Sequence, residues 1–140
     1  MPFRIGYRQP AAGGQGFSRT KKVMGAANIP LAVADVNQTT NSVALFRVPA
    51  GFIVTNVFAS ASDMDTGVAA LTFNIGDAGD PDRLMAASAV GQAGTSSTTL
   101  AATGLYYEYT ADTDILLACQ AAAATAVAGT ITLYLEGFMK

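Results

Sequence analysis

The chain has 140 residues, 51% of them hydrophobic, enough for one domain whose core needs no metal or disulfide staple. Only 13% are charged, against about 25% in ordinary soluble domains, so the surface is either built from small neutral residues or covered by copies of the chain or a larger assembly. There is no histidine, which removes the commonest general base, the usual Ser and Cys triads and most catalytic zinc sites; no enzyme is expected.

The net charge of −2 is unevenly spread. Residues 1–22 hold Arg4, Arg8, Arg19, Lys21 and Lys22 and no acid, while the remainder sets three cations against all ten acids. This stretch also holds Phe3, Tyr7 and Phe17 and centres on Gln9-Pro10-Ala11-Ala12-Gly13-Gly14-Gln15-Gly16, with no periodicity. It reads as an extended basic arm over 1–28, disordered or ordered only against a neighbour, with an acidic surface the partner to look for. Five spaced charges form no basic stripe, so nucleic acid is not the expected partner. No apolar run has the length of a membrane span, and the N-terminus lacks a signal-peptide core, so a product made and used without export is expected.

The body, 29–140, reads as a string of strands. Leu31 to Val36 forms a short first strand opened by Pro30, and the polar run 37–41 is a loop. Val43 to Ala61 places two apolar runs around Pro49-Ala50-Gly51 and predicts a hairpin, since proline presets the turn φ and glycine supplies a positive one. After the loop 62–67, Leu71, Phe73 and Ile75 alternate with Thr72 and Asn74, the period of a strand with one wet face. Residues 76–82 are a dense turn; 83–88 fit a strand or one helical turn; 91–99 are a loop or weak edge strand. Leu105 to Thr110 is aromatic and strand-like, 115–120 is a further strand, and the alanines 121–124 are a hairpin loop. The last strand is the clearest: Ile131, Leu133 and Leu135 point one way, Thr130, Thr132, Tyr134 and Glu136 the other. Seven or eight short strands without a convincing helix predict an all-β antiparallel sandwich, jelly-roll-like, behind an N-terminal arm.

Chemistry is sparse. Cys119 lies in an apolar run and reads as a buried, inert thiol. Asp77, Asp80 and Asp82, with Asp63 and Asp65 in the preceding loop, offer hard oxygens for calcium, but aspartate is also a turn former and the spacing is not that of an EF-hand. Glu108 and Glu136 fall on exposed strand positions with no tryptophan in the chain to line a sugar groove, so solvated acids are the plainer reading. No catalytic, metal or cofactor residues are assigned.

Val48-Pro49-Ala50-Gly51-Phe52-Ile53-Val54, the segment Asn74-Ile75-Gly76-Asp77-Ala78-Gly79-Asp80-Pro81-Asp82-Arg83-Leu84 and the closing run Thr130 to Phe138 resemble small virion structural proteins of tailed phages, of the head decoration (cement) type. The resemblance covers about 43–138 and leaves the arm outside. It implies a jelly-roll-like sandwich on the outer head surface, made in the host cytoplasm, clustered with copies of itself as a trimer and bound to the major capsid protein. The arm residues Phe3, Arg4, Tyr7, Arg8, Phe17, Arg19, Lys21 and Lys22 are the expected partner contacts. Tail, neck and head-fibre components carry similar turns and strands and remain the alternative, as does a calcium- or glycan-binding module.

Overall fold

The computed structural model describes residues 21–140. Eight strands are divided between two four-stranded antiparallel sheets: β1 (Lys22–Leu31), β2 (Ser42–Val48), β3 (Phe52–Ala61), β4 (Thr72–Gly76), β5 (Met85–Ser88), β6 (Ser96–Ser97), β7 (Thr113–Ala121) and β8 (Gly129–Met139). The first sheet runs β1-β8-β3-β6 and the second β2-β7-β4-β5. Apart from β4 and β5, every pair of consecutive strands is split between the sheets, the connectivity of a jelly roll, and the predicted all-β sandwich stands.

The core fills the space between the sheets. Ile131, Leu133 and Leu135 of β8 face Ile115 and Leu117 of β7 and Phe73 and Ile75 of β4, all closed to solvent. In β3, Val54 and Val57 are both buried although three apart, a spacing that puts them on opposite faces of a regular strand. A bulge resolves the conflict: Val54 is opposite Gly137 and Asn56 opposite Glu136, leaving Thr55 extra, its hydroxyl donating to the Glu136 carbonyl. Gly137 faces the Ile53 carbonyl so closely that a Cβ there has no room.

Several expectations change. Residues 22–28, assigned to the arm, form most of β1, paired with β8 from Lys22↔Gly137 to Leu31↔Gly129. Edge pairing supplies what the sequence there lacks in periodicity. Val33–Val36, expected in a strand, forms a helical turn, α1, started by the Asp35 carboxylate accepting the Ala32 N–H at 2.8 Å. Val36 is buried while Val33 is exposed.

The turn Pro49-Ala50-Gly51 is real, with Gly51 at φ +92°, but it joins two sheets rather than two paired strands. Its amides are taken elsewhere, Ala50 by Asp112 Oδ1 and Gly51 by the Tyr109 carbonyl. The alanine loop 121–124 crosses between the sheets in the same way. Residues 105–110 form no regular strand, because Tyr106 sits at φ +61°. The segment still caps the β3 edge, exchanging backbone bonds with Phe52 and Val54. The open segment 83–88 contains β5, and 91–99 contains the rest of a second short helix, α2 (Val90–Ala93), and then β6, a weak edge as expected.

Candidate functional site

The outer face of the first sheet is the most distinctive surface. Outward alternation in β1, β8 and β3 puts Val23 opposite Glu136, and Tyr134 between Gly25 and Phe58. Val23 is 60% and Phe58 38% exposed, and the Phe58 and Tyr134 rings stack at 6.3 Å. With Asn56, Thr98 and Glu136 they line a shallow groove of about 370 Å3. The sequence placed Tyr134 outward; Phe58 was legible only once the Thr55 bulge was known. Exposed aromatics on a neutral sheet suit contact with another protein surface, since rings bring large area at low conformational cost.

Of the expected arm contacts, Phe3, Arg4, Tyr7, Arg8, Phe17 and Arg19 lie outside the described residues. Lys21 and Lys22 are described, and Lys21 Nζ stands 3.5 Å from Glu136 Oε1 at the margin of this groove. Both partners are well exposed, so the pair adds little to stability.

The acidic loops are held by the fold itself. Asp77 Oδ1 accepts the N–H groups of Gly79 and Asp80, and Arg83 forks onto the carboxylate, Nε to Oδ2 at 2.5 Å and Nη2 to Oδ1 at 3.3 Å. Burial pushes the Asp77 pKa up, but the Arg83 hydrogen bond and charge and the two amides outweigh it, and the net shift is downward. The Arg83 guanidinium lies 3.7 Å from the centroid of Tyr107, which packs edge-on against Tyr109 at 4.9 Å. The predicted strand tyrosines therefore seat an arginine rather than a ligand. Arg83 Nη1 also stands 3.8 Å from Asp80, and the neighbouring Asp80 carboxyl raises the pKa of Asp82.

Asp65 is 2% exposed and ties two loops together. Its oxygens accept the amides of Gly67, Ala70 and Leu71 from its own loop and of Ala124 and Thr125 from the alanine loop. The Thr125 amide leads in holding its carboxyl far below the usual range. Among the described residues no group of three or more His, Cys, Asp or Glu side chains is arranged to hold a metal.

Glu108 and Glu136 contact Lys140 and Lys21. Cys119 donates to the Asp35 carbonyl at 3.1 Å, and burial raises its pKa to about 11, a thiol kept protonated. Among the described residues no helix is long and apolar enough to cross a membrane.

No protein-family model matches the chain, and no curated protein does. Solved structures do. A chain of the capsid of Ralstonia phage GP4 is similar at 20% identity and a TM-score of 0.66, over 95% of this chain and 89% of that one. A chain of the acid-stable capsid of Helicobacter pylori bacteriophage KHP30 aligns at 14% identity and a TM-score of 0.55, over 86% and 94%. Both share the fold. A chain of the cyanophage Pam1 capsid asymmetric unit goes further, with 32% identity, a TM-score of 0.74 and full coverage of both chains. With that identity sustained from end to end, the chain belongs to the same family as this protein of the Pam1 capsid.

Proposed function

We propose that the protein is a structural component of a phage virion that decorates the outer surface of the head and cements it. The observation that carries this reading is the whole-chain match, in sequence and fold, to a chain of a phage capsid asymmetric unit. A low-charge jelly roll whose acidic loops are spent on internal contacts supports a structural role. The outer face of the first sheet, with Val23, Phe58 and Tyr134, packs against copies of itself in a trimer. The basic segment, with Phe3, Arg4, Tyr7, Arg8, Phe17, Arg19, Lys21 and Lys22, lies along an acidic surface of the major capsid protein, where its charges speed docking and its rings anchor it.

The test mixes purified protein with phage heads lacking it and counts bound copies, for the full chain and for a chain starting at Lys21. The full chain should saturate the outer head surface, and the shortened one should keep its β-rich circular dichroism but lose attachment. Failure of the full chain to bind heads refutes the decoration role. Equal binding by both chains refutes the role of the arm.

A further inference from the structure

At the end of the sandwich where the described chain begins, segment 105–109 extends the first sheet beyond β3. The Tyr106 N–H donates to the Val54 carbonyl, and the Val54 N–H donates to that of Tyr107. Tyr107 and Tyr109 turn toward each other and toward Arg83, which lies on the Tyr107 ring. Leu105 and Tyr106 turn outward, 49% and 70% exposed. Tyr106 sits at φ +61°, a left-handed conformation that is costly for a residue with a Cβ. Its ring pairs with no other aromatic ring among the described residues. An exposed aromatic beside an exposed leucine, on a backbone fixed by β3, has the makings of a contact anchor.

The surroundings are acidic. The Thr103 hydroxyl donates to the Arg83 carbonyl, which puts Asp82 beside this loop. Asp112 caps the Ala50 N–H at the turn whose Gly51 N–H donates to the Tyr109 carbonyl, so it belongs to the same end. Asp82 and Asp112 are exposed, and neither has a cation within ion-pair distance among the described residues. The loop already seats one guanidinium between a tyrosine face and a carboxylate, Arg83 between Tyr107 and Asp77. Tyr106 and Asp82 offer the same two groups to a second guanidinium.

We infer that this patch receives the segment Phe3-Arg4-Ile5-Gly6-Tyr7-Arg8 of the same chain, its arginines toward Asp82 and the Tyr106 ring and its aromatic rings against Leu105. Charge favours this occupant: residues 1–20 hold Arg4, Arg8 and Arg19 and no acid. Reach favours it too. Lys22, Gly137 and Val54 stand in one row across the first sheet, and Val54 bonds the patch segment itself. The crossing is therefore three strand spacings, about 14 Å, with no travel along the strands. The thirteen steps from Arg8 to Lys21 span about 20 Å as a coil, and a tether whose length matches the gap gives the highest local concentration. The contact lies within one chain and does not depend on the virion reading; under that reading, attachment to a head exchanges one acidic surface for another.

Cysteine cross-linking in the full-length protein tests it. Gly6→Cys is combined with Ala102→Cys, an exposed position between the residues that hold the loop to Leu84 and Arg83. The rate of disulfide formation is followed by mass spectrometry, which separates a link within one chain from a covalent dimer. Within one chain, the rate should fall about tenfold when Arg4→Gln and Arg8→Gln are added, since docking raises the concentration of one thiol at the other. Arg8→Asp should lower it as well, and Asp82→Arg added to Arg8→Asp should restore it. Tyr106→Gly removes the ring and relieves the positive φ, so it should slow cross-linking while leaving the unfolding midpoint equal to the natural one or higher. A rate unchanged by the arginine substitutions or by Tyr106→Gly overturns the proposal. Covalent dimers in place of the link within one chain also overturn it, and give the patch to the arm of a second copy.

Discussion

Replacing Arg83 by Met strips the Asp77 carboxylate of its fork while keeping a side chain of similar length. The ion pair is largely closed to solvent, its side chains 14% and 7% exposed. Removing one partner of such a pair costs about 3–5 kcal/mol, because the other is left charged and buried. Asp77 keeps the amides of Gly79 and Asp80, which pulls the loss to the low end, while the lost stacking on Tyr107 adds to it. The expected cost is about 3 kcal/mol. With a urea slope near 2 kcal/mol/M this moves the unfolding midpoint by about 1.5 M, and in a thermal scan it lowers Tm by about 10 °C. Asp77→Asn in the same chain removes the stranded charge and should return about 1–2 kcal/mol.

The pH dependence follows from the sign of the Asp77 shift. Its folded pKa is depressed, so its contribution is complete above the unfolded carboxylate value of about 4 and is lost as pH falls through the lower folded value. The gap between natural and Arg83→Met proteins should therefore be full at neutral pH and close in acid. A midpoint within about 0.3 M of the natural one at pH 7, or a gap that widens below pH 4, would refute this account of the Arg83 cluster.

Asp65→Asn turns an acceptor-only group into one that also presents an NH2 to five backbone donors; faster hydrogen exchange at Ala70, Leu71, Ala124 and Thr125 is expected, with other amides little changed. The depressed pKa of Asp65 gives it the same sign as Asp77, so its support persists down through ordinary carboxylate pH and fails only in strong acid. Phe58→Asp and Tyr134→Asp should leave unfolding midpoints close to natural while lowering the native mass measured by light scattering; a natural mass for both variants would remove the outer face from the assembly interface.

The sequence revealed strands where period-two alternation coincides with a buried face, as in 71–75 and 130–136. It was silent where pairing rather than periodicity makes the strand. Lys22–Leu31 is mostly exposed and carries a glycine and a proline, and it is a strand because β8 offers it a free edge. Turn chemistry located the bends at Gly51 and around residue 122 but carries no information about whether a bend stays in its sheet, so both expected hairpins are crossings. The aromatic residues within 105–110 read as a strand by propensity alone, yet one left-handed residue, Tyr106, breaks the run and leaves Tyr107 under Arg83. The acidic loops were visible as clusters, while their inward hydrogen bonding depends on residues as far off as Ala124 and Thr125.

The place of β8 has a consequence for biosynthesis. Among the described strands it is the last to leave the ribosome, yet it separates β1 from β3 and carries the middle of the face bearing Val23, Phe58 and Tyr134. Until Gly129–Met139 has been made, the first sheet has no centre, and β1 and β3 lack the strand that joins them. A nascent or interrupted chain thus exposes no finished outer face, and any contact made through that face waits for the closing strand.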